Sequence, residues 1–367
     1  MNETIGKFTI IVKTSYDCNL SCKYCYEGQK PRQIRLSLEL AKRIISACIN
    51  QFPNKKLEFI WHGGEPLLLG QKFYEQIIEY QKELGKYAQI KNSIQTNGIL
   101  LSDHFLDFLV SNNFNIGISL DGNKKIHDFQ RVTRNHHVTF NQVFASFQRL
   151  KRANELHSRK SNPHALAVFT RNTLENIDEF YEFFKENKMS VKINPLMSVG
   201  NATDAKDLIV SPYEYGKALV YLFEKWVKEK SPDFSIEPFP RMIRSLATGK
   251  PETCIFSKAC AGQYLSIDPE GNVTPCGRWG KDDYYLGNIE TETLDSILSS
   301  PPFIAYQGTR NAMNTACGEC RYVNICNGGC AFSGFMINRS LSEKDFYCES
   351  YFMLFESMEK SLRASIN

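Results

Sequence analysis

Apolar residues in the first two hundred positions recur with two alternating periods. Short β-branched and aromatic runs have the length and composition of buried strands. They cover 8–14, 57–61, a run ending at Gln95-Thr96-Asn97-Gly98, 115–120, 165–170 and 191–194. Between them, apolar residues return every three to four positions. Leu40, Ile44, Ile45, Ala47 and Cys48 mark one face of a helix over 38–51 that Ser37 caps. Similar spacing predicts helices over 71–84, 103–112, 141–155 and 174–187.

Six strand-then-helix units with short turns predict a parallel sheet with crossover helices. Six are too few for a closed eight-fold barrel, so the expected fold is α/β, an open, partial (β/α)6 barrel of TIM type. Ligands of such sheets bind at the C-terminal ends of the strands. The unusual turns converge there: a cysteine loop after the first strand, Gly63-Gly64-Glu65-Pro66, the 95–98 turn and Ser119-Leu120-Asp121-Gly122.

The pattern then changes. Residues 200–204 read as a loop, and 213–230 and 239–248 as amphipathic helices. Beyond 250 the periodicity thins and cysteine, glycine and proline take over, until a last helix over 351–362. A segment with little core and many cysteines needs metal to fold. The expected division is 1–235 for the barrel and 236–367 for a cysteine-rich domain.

Composition narrows the chemistry. The 367 residues carry 42% hydrophobic and 23% charged positions and a net charge of +4, ordinary for a globular chain and no call for a nucleic-acid partner. No run approaches the length of a membrane span. The N-terminus lacks the basic region of a signal peptide, so the expected compartment is the cytoplasm. Twelve cysteines in that compartment read as metal ligands rather than disulfides. Cys48, alone on a helix face, reads as a buried core residue.

Cys18, Cys22 and Cys25 stand at C-x3-C-x2-C spacing. A [4Fe–4S] cube takes one ligand per iron, so three thiolates leave a corner open for a substrate or cofactor. This loop, followed at the next strand end by Gly63-Gly64-Glu65-Pro66, resembles the radical S-adenosylmethionine (SAM) family. The resemblance implies that SAM chelates the open iron and is cleaved to a 5′-deoxyadenosyl radical that abstracts a hydrogen atom. It also implies SAM contacts at Tyr24, Gly63, Gly64, Glu65, Ser119, Arg131 and Leu196, the last through its backbone. Paired glycines allow close backbone approach, and an arginine can grip a carboxylate. His62 reads as a rim histidine near the substrate.

Eight further cysteines follow: Cys254, Cys260, Cys276, Cys317, Cys320, Cys326, Cys330 and Cys348. By themselves they fit two zinc ions or two iron–sulfur clusters. They resemble the SPASM extension of radical SAM enzymes. That resemblance implies one auxiliary [4Fe–4S] cluster on Cys254, Cys260, Cys276 and Cys330 and a second on Cys317, Cys320, Cys326 and Cys348, three clusters in all.

Over residues 8 to 350 the chain is similar to anaerobic sulfatase-maturating enzymes and ribosomal-peptide maturases. The former carry an aspartate after the third auxiliary cysteine as the base in formylglycine formation. Here the run is Pro275-Cys276-Gly277, and glycine has no proton-accepting side chain. Asp282 and Asp283 are the nearest substitutes. The expectation is therefore a peptide or protein maturase that makes another oxidation, a cross-link or epimerisation, with flavodoxin or ferredoxin as electron donor. The alternatives are formylglycine formation with a displaced base, a small-molecule dehydrogenase or epimerase, and a zinc-stabilised binding module.

Overall fold

A computed structural model describes residues 6–28, 33–85, 89–159, 163–311 and 317–366. Its first half is the alternation expected: β1 (Lys7–Lys13), α1 (Leu38–Gln51), β2 (Lys56–His62), α2 (Gln71–Glu83), β3 (Ile90–Thr96), α3 (Asp103–Ser111), β4 (Asn115–Ser119), α4 (Lys124–Gln130), α5 (Phe140–Leu156), β5 (His164–Phe169), α6 (Arg171–Glu175), α7 (Ile177–Glu186) and β6 (Ser190–Pro195). Ser37 caps α1 through an Oγ acceptor 3.0 Å from the Leu40 N–H. Cys48 is fully buried on the inner face of α1.

Two local expectations change. The helix read over 174–187 is two helices broken at Asn176, whose side-chain amide donates to the Asn172 carbonyl at 2.8 Å and competes with the helical ladder. The short α4 adds a helix that seven residues were too few to signal by period.

The second half continues with α8 (Pro212–Glu229), β7 (Ile236–Glu237), α9 (Phe239–Thr248), β8 (Tyr264–Ile267), β9 (Asn272–Thr274), β10 (Gly287–Asn288), α10 (Leu294–Leu298), α11 (Pro301–Asn311), α12 (Val323–Cys326), α13 (Ala331–Asn338) and α14 (Cys348–Ile366). The cysteine-rich segment thus holds more regular structure than its pattern predicted. Its strands join the same sheet, in the order β10-β9-β8-β1-β2-β3-β4-β5-β6-β7. β8 runs parallel to β1 with Ile11 opposite Ser266, and β9 and β10 are antiparallel additions. β7 extends the other edge beside β6. The last helix begins at Cys348 rather than 351 and packs on α8, where a Cβ at Gly216 would fall 2.9 Å from Ser350 Cα.

Strand alternation decides what reaches the site. Phe8, Ile10 and Val12 of β1 are buried in the main core with Phe59, Trp61 and Tyr74. Thr9, Ile11 and Lys13 face the opposite side, toward the barrel interior. The C-terminal end of β1, between β2 and β8, therefore delivers the first cysteine loop to the middle of the strand-end rim.

Candidate active site

The cysteine loop is held by its neighbour. The Gly64 N–H donates to the Ser15 carbonyl at 2.7 Å and the Glu65 N–H to the Asp17 carbonyl at 2.9 Å. Side chains cannot fit between these backbones: a Cβ at Gly64 would lie 2.0 Å from the Asp17 oxygen. Gly63, at φ +108°, would place one 2.8 Å from the Ser15 oxygen. Close approach is the reason for both glycines, as expected, but the partner is the cysteine loop itself. The Gly63 N–H is also committed, to His62 Nδ1 at 2.7 Å. An ammonium group could meet only the carbonyls of this pair.

Glu65 turns inward. Its carboxylate accepts from Leu67 N–H (3.0 Å), Thr96 Oγ1 (2.6 Å) and Asn97 N–H (2.8 Å), tying the end of β2 to the end of β3. Burial outweighs these donors and pushes its pKa up to about 7. Asn97 continues the connection, donating to Asn19 Oδ1 at 2.8 Å beside Cys18.

Asp121 forms a second hub at the end of β4. It accepts from the Tyr24 hydroxyl, from Gln130 Nε2 and Arg131 Nε at 2.8 Å each, and from the Val168 N–H at 3.0 Å. Burial alone would raise its pKa; the charges of Arg131 and His127 hold it below the ordinary carboxylate range. Arg131 lies over the Tyr24 ring, 5.3 Å from its centroid, with Nη1 4.0 Å from Cys22 Sγ. Tyr24, Arg131 and Cys22 thus form one cluster. Ser119 stands apart from it on β4 and accepts from Gln95 Nε2 at 3.1 Å.

The Leu196 N–H donates to the Phe169 carbonyl at 3.2 Å, and its carbonyl accepts from the Tyr347 hydroxyl at 2.6 Å, which leaves that oxygen one lone pair. Its side chain packs with Leu20, Cys22 and Tyr24.

His62 Nδ1 accepts from Gly63, so the neutral ring carries its proton on Nε2. Burial lowers its pKa to about 4. Tyr26 Oη lies 3.1 Å from the same Nδ1.

Beside this loop opens a cavity of about 380 Å³, bounded by the cysteine loop, Gly200-Asn201 and the segment after β9. Lys13 and Glu27, both nearly buried, pair within it at 2.8 Å, and Lys13 also donates to the Trp279 carbonyl at 3.4 Å. Neither residue was singled out from the sequence, although each flanks the cysteine motif; nothing local announces their pairing. Asp282 lines the outer rim of the cavity and is exposed, while Asp283 is occupied by Arg339 at 2.5 Å and by the Gly280 N–H at 3.2 Å. Gly277 sits on β1: a Cβ there would fall 2.9 Å from Ile11 Cγ2.

None of the twelve cysteines is joined in a disulfide. Among the described residues no three His, Cys, Asp or Glu side chains converge as a site for one ion. The thiols do gather into three sets. Cys22 lies in one apolar cluster with Cys18 and Cys25 packed on it. Burial raises the Cys22 and Cys276 thiols to about 12 each. Beyond burial, Cys276 is pushed up by Cys330 and Cys254, and Cys260 acts with Cys254 on Tyr264. Cys326 is pushed up, after burial, by Cys348, Cys317 and Cys320. Cys254, Cys276 and Cys330 thus act on one another with Cys260 beside Cys254, and Cys317, Cys320 and Cys348 act on Cys326. A cube presents four separate corners to its ligands, so thiols that gather without converging on one point fit such groups.

A partial barrel with three thiols at its central strand end and two further thiol sets beyond it defines an iron–sulfur enzyme of the radical type. Residues 12–186 match the model of the radical SAM superfamily, and residues 259–321 match SPASM, an iron–sulfur cluster-binding domain. The chain is 30% identical to the serine-type anaerobic sulfatase-maturating enzyme of Bacteroides thetaiotaomicron, over 92% of this chain and 86% of that one. It is 28% identical to the cysteine-type enzyme of Clostridium perfringens, over 95% of each. The solved structure of native anSMEcpe with bound AdoMet superposes with a TM-score of 0.85 at 27% identity, covering 97% of this chain and 98% of that one. Streptococcus suis SuiB bound to its precursor peptide SuiA shares the fold, with a TM-score of 0.67 at 18% identity over 94% and 76% of the two chains. The chain belongs to the SPASM-bearing radical SAM enzymes, in the family of the anaerobic sulfatase-maturating enzymes. Its cofactors are SAM and three [4Fe–4S] clusters, one that meets SAM and two auxiliary. No helix among the described residues is long and apolar enough to cross a membrane.

Proposed function

We propose that this enzyme oxidises a residue of a peptide or protein by hydrogen-atom abstraction, and that the product is a cross-link or an epimerised residue rather than formylglycine. The observation that carries the choice is the contact of Gly277 with Ile11: where the maturases place a carboxylate, this chain has no side chain and an isoleucine methyl fills the space.

In this reading Cys18, Cys22 and Cys25 hold the cluster that meets SAM. Cys254, Cys260, Cys276 and Cys330 hold one auxiliary cluster, and Cys317, Cys320, Cys326 and Cys348 the other. SAM, when bound, supplies the radical that takes the hydrogen atom. The protein's part is positioning. Asp121 keeps Arg131 and Tyr24 beside Cys22, where the guanidinium offers its remaining N–H groups to a carboxylate. The carbonyls of Gly63 and Gly64 would accept from the ammonium of SAM. Glu65 acts at one remove, fixing the strand ends that carry these groups. Tyr24 and Leu196 supply the apolar wall, and Ser119 a hydroxyl further out along β4. The cavity at Lys13 and Glu27 receives the target residue. A structure of anSMEcpe with AdoMet and the Cp18Cys peptide supports a peptide as the substrate class. A flavodoxin or ferredoxin in the cytoplasm would supply the electron, and the barrel would end near residue 235.

Formylglycine formation is the second reading, favoured by the relatives and by Asp282 at the rim of the same cavity. Mass spectrometry after anaerobic turnover separates the two. A Cys-x-Pro-x-Arg peptide should remain unmodified, while 5′-deoxyadenosine accumulates on addition of dithionite and SAM. Formylglycine on that peptide would overturn the first reading in favour of the second.

A further inference from the structure

Asp345 lies between the two C-terminal cysteine sets and is 3% exposed. Its side chain belongs to one set: Oδ2 accepts the backbone N–H of Cys330 at 2.8 Å. Its main chain belongs to the other: the carbonyl accepts the N–H of Cys348 at 3.0 Å. Oδ1 accepts from Ser333 Oγ at 2.6 Å and from the Tyr347 N–H at 2.8 Å, and the Asp345 N–H donates to the Gly328 carbonyl at 2.8 Å. The turn before Cys330 is shaped to admit it. Gly329 has φ +80°, and a Cβ there would fall 2.3 Å from Asp345 Cβ.

A carboxylate in this place does two things. It makes one rigid joint of two loops that carry ligands of different centres. It also puts a buried negative charge beside both, where low dielectric leaves charges poorly screened. The residue is one hydrogen bond from a ligand of each set, Cys330 through its carboxylate and Cys348 through its carbonyl. Three donors, from Cys330, Ser333 and Tyr347, meet its two oxygens, the complement an acceptor-only carboxylate can use.

We propose that Asp345 is a positioning residue that joins the two auxiliary centres and holds both of their reduction potentials down. The proposal rests on the cluster assignment above. Reduction adds an electron to a cluster, and a nearby buried anion disfavours that addition; a hydrogen bond to the anion weakens its effect.

The test uses the reconstituted full-length enzyme and EPR-monitored redox titration, with iron content measured in parallel. Asp345→Asn removes the charge and should shift both auxiliary potentials upward. Ser333→Ala keeps the charge but removes its 2.6 Å donor, and should shift both downward. The SAM-binding cluster, whose cysteines lie on another loop, should move less than either auxiliary centre in both variants. Opposite shifts would not come from general loosening of the domain. With the iron of all three clusters retained, unmoved auxiliary potentials, a shift in one centre alone, or shifts of the same sign in both variants would overturn the role of Asp345. A wild-type enzyme with about four irons, one cluster's worth, would instead overturn the cluster assignment and the proposal with it. If Asp345→Asn fails to fold, the sign of the Ser333→Ala shift decides.

Discussion

Gly277 rests on Ile11, with the space for a Cβ at 277 closed by Ile11 Cγ2 at 2.9 Å and Cδ1 at 3.3 Å. Restoring a carboxylate there is thus a packing problem as well as a chemical one. Gly277→Asp alone should destabilise the protein by about 1–3 kcal/mol, the usual cost of overpacking. Ile11→Ala should relieve part of that cost, so the double variant loses less than the sum of the singles. Denaturant midpoints of the four proteins check this. If the missing base is what separates this enzyme from formylglycine formation, the double variant should also make formylglycine on a Cys-x-Pro-x-Arg peptide that the parent leaves unmodified.

The same pair shows what the sequence reveals and what it does not. Gly277 was legible as a missing base because it follows Cys276 directly. Ile11 was legible as a strand residue, but its contact with 277 depends on β8 pairing with β1 across 255 positions, and β8 is a four-residue strand among cysteines and glycines. Ser37 and the helix it caps were legible because capping is local. The paired glycines at 63–64 signal close backbone approach, but not that Ser15 and Asp17 are what approach them. One lone pair of the Leu196 carbonyl is taken by Tyr347, 151 residues away, which no local pattern shows. Residue type and spacing located the chemistry; long-range hydrogen bonds decided which atoms remain free for it.

Asp121 is the anchor of the Arg131 site, and its removal should be costly. Asp121→Ala leaves the buried Arg131 guanidinium without its carboxylate at 2.8 Å, and strips the Tyr24 hydroxyl of its acceptor. Breaking one side of a buried ion pair costs about 3–5 kcal/mol. Urea unfolding of the anaerobically prepared variant should show that loss. SAM binding followed by equilibrium dialysis should weaken more than in Ser119→Ala, whose site has one hydrogen bond from Gln95.

Glu65 gives the fold a pH dependence of defined sign. Its carboxyl titrates at about 7 in the folded protein against an ordinary value of 4.5, because burial outweighs its three donors. The folded state therefore holds this proton more tightly than the unfolded state does. The contribution is fully present below pH 4.5 and is lost as pH rises to 7, by about 3 kcal/mol. Glu65→Gln has no proton to lose, so its unfolding free energy should fall less steeply than wild type across that interval. Parallel curves for the two proteins would assign the pH dependence to other groups. The variant should also be less stable at low pH by about 1–3 kcal/mol, since an amide cannot accept from Leu67, Thr96 and Asn97 at once.

The cysteine sets should separate in their consequences. Cys22 lies in the apolar cluster with Tyr24 and Leu196 and within 4.0 Å of Arg131, so Cys22→Ala acts where SAM is proposed to bind. Cys326 ends α12 and is the proposed co-ligand of Cys317, Cys320 and Cys348, the last of which opens α14. Each variant should lower the iron content from about twelve toward about eight, because each removes a ligand from one cube. The two should then diverge. Cys22→Ala should abolish 5′-deoxyadenosine formation with SAM and dithionite while leaving the auxiliary EPR signals in place. Cys326→Ala should retain substrate-independent SAM cleavage and lose one auxiliary signal. It should also lower the thermal midpoint, since a segment with a small apolar core depends on its metal centres for stability. Equal loss of SAM cleavage in both variants would mean that the cluster at Cys326 serves the radical centre directly, and the division of labour between the two halves would have to be redrawn.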